Sequence, residues 1–454
     1  MDVAVIETSG LGDRSYLISQ DGIGVVIDPQ RDIDRVLALA DRHGVRITHV
    51  LETHLHNDYV TGGLDLSDTV GAEYVVPAGD DVGYARRAVT DGDVIDAGPV
   101  QLEVLQTPGH THHHVSYVAK SSDGAVRGVF TGGSMLFGTT GRTDLIAPED
   151  TERLSRAQYR SVRKLADRLP AHTPVYPTHG FGSFCSATPA SGDSSTIGEQ
   201  RTANPALTQD EQSYVDELLA GLSAYPSYYA HMGVINREGP RPADLTPPEP
   251  IDPGELRRRI EAGEWVVDLR NRTMFAAGHL EGTLGFELSG SFVSYFGWLY
   301  DWGAPVTLIG ESPEQIADAK RELVRIGVDR LTGAATGDLE TLRDGAALRS
   351  YRVADFAGLA DTAATTPVAV LDVRQAHEHA EEHVEDAVNI PLHELPDRLS
   401  DVPAGPVWVH CASGYRASIA ASYLDRAGVD VVLIDDAFDK ASGRGVTVTR
   451  VSAR

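Results

Sequence analysis

Eight short apolar runs occupy the first third of the chain, each bounded by Gly, Asp, Pro or other turn-forming residues. They are VAVIET from Val3, SYLIS from Ser15, IGVVIDP from Ile23, ITHVLET from Ile47, AEYVVPA from Ala72, VQLEVLQT from Val100, HVSYVA from His114 and GVFTGG from Gly128. Their length and β-branched content predict strands. Helical periodicity intrudes at 32–43 and 151–169. The mixture predicts stacked sheets flanked by helices, not a simple doubly wound βαβ series. Runs such as VVIDP end in acidic or turn residues, which places reactive side chains at strand ends. Residues 237–254 (REGPRPADLTPPEPIDPG) are proline-rich and aperiodic and read as an extended, fairly stiff linker.

Beyond the linker one pattern occurs twice. WVVDLR, ending at Arg270, is followed by PVTLIG and the helical EQIADAKRELVRIGV; about a hundred residues later VAVLDVR, ending at Arg374, is followed by PVWVH and the helical ASIAASYLDRAGV. Each copy has a strand closing in Asp-[Leu/Val]-Arg, a helix, a second strand, a loop and a further helix. Two tandem α/β units with short parallel strands follow, each with its own core. The expected division is a first domain over 1–236, the linker 237–254, and two α/β domains over 255–348 and 349–454.

Composition narrows the function classes. Acidic residues outnumber basic ones by 66 to 39, a formal charge of −27, which disfavours nucleic acid and anionic membrane as partners. No apolar stretch suits a membrane span, and MDVAVIETSG has neither the basic nor the apolar region of a secretory signal. Two cysteines cannot build a disulfide framework, so a reducing, cytoplasmic setting is expected.

Cys411 follows the run PVWVH and precedes a helical segment. A thiol at such a turn faces backbone N–H groups and the positive end of a helix dipole, which favour the thiolate, and Arg416 adds a cation. Gly414 lets the loop curl its amides inward as an anion cradle. The run Cys411-Ala-Ser-Gly-Tyr-Arg416, with Leu371-Asp-Val-Arg374 and Glu385-Asp-Ala-Val-Asn-Ile-Pro391, resembles rhodanese, the persulfide-forming sulfurtransferase. That resemblance implies that Cys411 carries sulfane sulfur while Arg416 and the loop around Gly414 stabilise it. Four residues separate Cys411 from Arg416, one fewer than a Cys-dependent phosphatase needs. The upstream copy has no cysteine; Glu311 falls about where it is expected, so this copy resembles an inactive rhodanese, and Asp268 and Arg270 read as a strand-end ion pair.

Thr53-His-Leu-His-Asn-Asp-Tyr59 follows the run ITHVLE; on an extended segment, alternation would put His54, His56 and Asp58 on one side, suited to metal ligation. Thr107-Pro-Gly-His110 and Pro177-Thr-His179-Gly end two further runs. These motifs resemble the metallo-β-lactamase fold, and within it the persulfide dioxygenases, through Thr61-Gly-Gly63 and Gly141-Arg-Thr-Asp-Leu145. The fold class implied is mixed α/β and α+β: an αββα metallo-β-lactamase domain followed by two rhodanese domains with parallel sheets.

By the same resemblance, two histidines (His54 and His110) and an aspartate hold mononuclear Fe(II), and Arg142 helps to position a persulfide. The aspartate is absent, since the sequence reads Phe130-Thr-Gly-Gly133, and Tyr59 replaces a histidine of the dinuclear hydrolases. A three-histidine set of His54, His56 and His110, with Asp58 and His179 as further donors, suits iron or zinc; a metal-free domain is the alternative that Gly133 leaves open. Cys185 reads either as a buried small hydrophobe or as a sulfur relay. The implied function is O2-dependent oxidation of a low-molecular-weight thiol persulfide to sulfite, coupled to sulfane-sulfur transfer among thiols, sulfite and thiosulfate through Cys411. The alternatives are a sulfurtransferase with a scaffold domain and a zinc thioester hydrolase; acidic rhodanese fusions also commonly form homo-oligomers.

Overall fold

A computed structural model describes residues 1–188, 190 and 192–450. The chain divides into two compact units, residues 1–245 forming most of the first and the chain from residue 246 most of the second. In the first, β1 (Asp2–Thr8), β2 (Asp13–Gln20), β3 (Ile23–Ile27), β4 (Arg46–Leu51), β5 (Glu73–Pro77) and β6 (Arg87–Val89) lie side by side in chain order. A second sheet runs β12 (Ser195–Thr196), β11 (Pro174–Pro177), β10 (Val126–Gly132), β9 (Val115–Ser121), β8 (Val100–Gln106) and β7 (Val94–Asp96). All eight apolar runs are strands. The strands of this unit that the pattern does not reveal have two to four residues, too few to show a period.

Strand alternation decides which layer each side chain joins. Tyr16, Ile18, Val25, Ile27 and Leu51 of one sheet pack between the sheets with Val100, Leu102, Val104, Val115, Tyr117 and Phe130 of the other. Their neighbours Leu17, Val26, Val50 and Val76 face the opposite way and pack with Val36, Ala40 and Leu66 of the helices Asp34–His43 and Gly63–Val70. Leu105, Val118 and Val129 face outward from the other sheet, onto Val162 and Leu165 of the helix Thr151–Arg168. The result is helix–sheet–sheet–helix, and each large side chain taken from water contributes about 1.5–3 kcal/mol.

The second unit holds two parallel sheets. One orders Leu284–Gly285, Trp265–Asp268, Val306–Gly310 and Leu331–Thr336; the other orders Arg352–Ala354, Val431–Ile434, Val407–His410, Ala369–Asp372 and Val388–Asn389. An interior strand of each ends in the expected ion pair, Arg270 on Asp268 at 2.6 Å and Arg374 on Asp372 at 2.7 Å. The proline-rich stretch is shorter than its composition suggests. The helix Tyr229–Glu238 takes its first two residues, and Pro253 and Gly254 open the helix Pro253–Glu261, where Asp252 accepts a hydrogen bond from the Glu255 amide at 2.8 Å. Proline is tolerated there because the first turn of a helix has no use for its missing N–H. Among the described residues no helix is long and apolar enough to cross a membrane.

Burial alone would push the Asp372 carboxyl up, but His410, Arg374 and His379 outweigh it and hold it at about 2. The folded value lies below the unfolded one of about 3.9, so the carboxylate adds stability above that pH and loses it as the pH falls toward 2. Asp372→Asn should therefore cost about 2–3 kcal/mol at neutral pH, with the gap to the parent closing between pH 4 and 2. Urea unfolding followed by tryptophan fluorescence checks this, since Trp265, Trp298, Trp302 and Trp408 all lie in the second unit.

Candidate metal centre and sulfur-transfer loop

The carboxyl ends of β3, β4, β10 and β11 meet at one rim. Asp28, just past β3 and in the left-handed region at φ 51°, accepts hydrogen bonds from the Thr53 amide at 2.7 Å, the Thr53 hydroxyl at 2.8 Å and the Thr178 hydroxyl at 2.5 Å. These bonds fix the turns that carry His54 and His179. The ligand nitrogens of His54, His110 and His179 then lie within 4.8 Å of one another, and all three rings are fully buried. Each ring is also held from behind. The Thr53 hydroxyl is 2.8 Å from His54 Nδ1, the Arg142 carbonyl 2.7 Å from His110 Nδ1, and Asp13 2.9 Å from His179 Nδ1. Burial and the neighbouring imidazoles push His110 down to about 3 and His54 well below its ordinary value. Neutral imidazoles are the form that binds metal. Burial also opposes charge on His179, but Asp58 and Asp13 outweigh it and hold that group well above its ordinary value.

The remaining expected donors are placed differently. Strand β4 ends at Leu51, so residues 52–59 form turns and the alternation expected of an extended segment does not apply. His56 turns away from His110 and lies 3.3 Å from both Asp28 and Glu52 and 3.0 Å from the Tyr59 hydroxyl. Burial lowers its pKa, but Asp28 and Glu52 overcome that and raise it to about 9. Asp58 lies 3.0 Å from His179 Nδ1. Arg142 has its guanidinium committed to Asp144, the Phe184 carbonyl and the Ser223 carbonyl, so it braces the His110 turn. Cys185 is buried beside the Tyr229 hydroxyl, 3.7 Å away, and burial raises its pKa well above the thiol range. Of the run 110–114, only His110 joins the ligand cluster: His114 accepts from the Gly133 amide at 3.0 Å, and His112 pairs with Asp150 at 2.8 Å. A cavity of about 320 Å³ opens beside this loop, lined by Leu55, Asn57, Asp80, His112, His113 and Arg237. Its volume suits a small organic ligand.

In the second unit, Cys411 follows the strand Val407–His410 and is buried at the start of the turn into the helix Tyr415–Arg426. The Gly414 amide donates to Cys411 Sγ at 3.2 Å. Gly414 has φ 91°, a backbone conformation that strains any other residue, and a Cβ there would stand 2.1 Å from the Asp435 carboxylate, which would have to shift. Arg416 is held by Glu378, at 2.5 and 2.8 Å. The cysteine-free copy adds to the surroundings: the Tyr415 hydroxyl donates to the Glu287 carbonyl at 2.8 Å, and the Tyr295 ring lies 5.9 Å from that of Tyr415.

Ladder register identifies the counterpart of Cys411. Asp372 pairs with His410 and Asp268 with Ile309, so the matching position is Gly310, one residue before Glu311. There the Gln315 side chain fills the turn, accepting from the Glu311 amide at 2.7 Å and donating to the Leu269 carbonyl at 3.1 Å. Sequence reasoning missed Asp13 and Glu378. Asp13 lies 166 residues from the histidine it orients, with no local signal; Glu378 could have been found as an acid in the first turn of the helix Ala376–Glu381.

Comparison with known proteins agrees with this geometry. Residues 11–179 match the metallo-beta-lactamase superfamily, and residues 355–443 match the rhodanese-like domain. Human mitochondrial persulfide dioxygenase ETHE1 is 31% identical over 207 residues, covering 45% of this chain and 72% of that protein. The hydroxyacylglutathione hydrolase of Rhizobium johnstonii is 32% identical over 178 residues, covering 37% and 65%. A metallo-beta-lactamase from Staphylococcus aureus subsp. aureus COL superposes with a TM-score of 0.66 at 27% identity, covering 74% of this chain and 99% of that one. The chain belongs to the metallo-beta-lactamase superfamily, in the family of the persulfide dioxygenase ETHE1, and carries a C-terminal rhodanese-like domain.

Proposed function

We propose that this chain is a two-site enzyme of sulfide and persulfide metabolism, oxidising a low-molecular-weight thiol persulfide with O2 in the first unit and transferring sulfane sulfur through Cys411 in the second. The observation that carries the reading is the pairing, in a relative of the persulfide dioxygenases, of converging imidazoles with a cysteine whose sulfur accepts a backbone amide. His54, His110 and His179 fit a borderline divalent ion, because the buried His110 Nε2 has no hydrogen-bond partner while each ring is fixed through its other nitrogen. Iron bound there would supply adjoining positions for O2 and the persulfide sulfur. Around it the chain's own residues hold His54 and His110 neutral and bury all three rings from water, and the adjoining cavity offers Asn57, Asp80 and Arg237 to the polar groups of the thiol.

In the second unit Cys411 Sγ attacks the outer sulfur of thiosulfate or of a thiol persulfide. The donor's S–S bond breaks and its electron pair leaves with sulfite or with the thiolate. Cys411 then holds a persulfide anion, which the Gly414 amide and the helix N-terminus stabilise. An acceptor thiolate or sulfite attacks the outer sulfur in turn, forming a new persulfide or thiosulfate and releasing the Cys411 thiolate. Glu378 keeps Arg416 at the loop throughout. The missing carboxylate at Gly133 favours a second reading, a sulfurtransferase whose first unit is a scaffold.

Protein purified without a histidine tag should contain near-stoichiometric iron and consume O2 when given glutathione persulfide. Metal-free protein with sulfur transfer intact would instead select the scaffold reading, and zinc with thioester hydrolysis a hydrolase. Cys411→Ser should abolish thiosulfate sulfurtransferase turnover and leave O2 consumption unchanged. Gly414→Ala should lower the same turnover at least about tenfold, because strain of about 1–3 kcal/mol at a positive φ is added to the clash with Asp435; steady-state assays of both variants check this.

A further inference from the structure

We propose that His179 replaces the missing aspartate, so that the ion of the first unit is held by His54, His110 and His179. This rests on the reading of that unit as a metal site and departs from the two-histidine, one-aspartate set expected from its relatives. The space at position 133 is not open to a carboxylate: a Cβ on Gly133 would stand 2.2 Å from the His110 ring, and one on Gly141 2.7 Å from its Nδ1. The ring of His110 lies where that side chain would begin. His179 supplies the third donor from the turn after β11, its Nε2 3.3 Å from that of His54.

The negative charge that the aspartate would have brought to the ion is moved one residue outward. Asp13, behind His179 Nδ1, and Asp58, 3.0 Å from the same nitrogen, form a carboxylate–imidazole arrangement that fixes the ring and makes its far nitrogen a better donor. Two other donor groups are close enough to be considered. His56, Asp58 and His179 also converge, with His56 Nδ1 lacking a hydrogen-bond partner, but Asp58 lies on the Nδ1 side of His179, 3.0 Å from the nitrogen that Asp13 holds. Asp28, Glu52 and His56 are already engaged, Asp28 with Thr53 and Thr178, Glu52 with Tyr74 at 3.0 Å, and His56 with both carboxylates. An all-imidazole set suits iron(II), cobalt(II) or zinc(II) and disfavours hard ions such as Mg(II).

Cobalt(II) added to the metal-free full-length protein tests the assignment without reference to turnover. The parent should bind one ion with visible ligand-field bands. His54→Gln, His110→Gln and His179→Gln should each weaken binding by at least about 100-fold, whereas His56→Gln should stay within a few-fold, and Asp13→Asn should lose about 10–100-fold. His179→Cys should bind with a new thiolate-to-cobalt charge-transfer band, a signature that a merely structural histidine cannot produce and that does not depend on how well the glutamine variant folds. Unchanged binding in His179→Gln, loss of binding in His56→Gln, no charge-transfer band in His179→Cys, or no binding by the parent would each overturn the assignment. Cobalt binding as expected, with no O2 uptake by the iron-loaded parent, would sink the dioxygenase reading and leave the ligand set standing.

Discussion

The geometry of the first unit depends on one buried carboxylate. Asp28 is fully buried at the end of β3, and its oxygens collect the Thr53 amide and hydroxyl and the Thr178 hydroxyl. Those groups belong to the turns after β4 and β11, so a single side chain sets the separation of His54 from His179. A buried carboxylate without partners would be costly. Here His56 Nε2, 3.3 Å away, completes its shell, so that nitrogen is taken up by carboxylates even though the ring packs 4.1 Å from that of His54. The carboxylate that orders the rim thus also engages one nitrogen of His56.

The two units manage charge by different means. In the first, His54 and His110 stay neutral while carboxylates stand behind His179. In the second, the Gly414 amide meets the sulfur directly, and the Arg416 guanidinium is bound to Glu378. The duplicated sheet shows what removes that second device. At Gly310 the strand, the ion pair and the following helix persist, but there is no sulfur, and Gln315 meets the turn's amide and carbonyl. The fold therefore survives the loss of the chemistry, because the Asp–Arg pair and the parallel strands stabilise it independently of the loop.

Features confined to one stretch of chain were legible in the sequence. The eight long strands, the Asp–Arg pairs and the Cys411–Arg416 loop each fall within about ten residues, where period and spacing speak for themselves. The grouping of the buried histidines was not legible. It turns on β4 ending at Leu51, after which the His54 and His56 rings pack 4.1 Å apart, and on Asp13, far from His179 in sequence. Likewise Glu311 rather than Gly310 looked like the counterpart of Cys411, since a one-residue register is fixed by the ladder to Asp268 and not by the loop's own residues.

Some of the buried polar atoms without partners in the first unit lie together at the rim. His110 Nε2, His56 Nδ1 and Asp58 Oδ1 are buried without hydrogen-bond partners, each at a cost of about 1–3 kcal/mol. A core optimised for stability alone would replace such groups by apolar ones of similar shape. Three such atoms gathered on the turns beside Asp28 are what a site that gives up folding stability for ligand binding would show. Gly133 belongs to the same arrangement. It offers no carboxylate, and the Cβ it lacks would stand 2.2 Å from the His110 ring, so that ring occupies the space a side chain there would need.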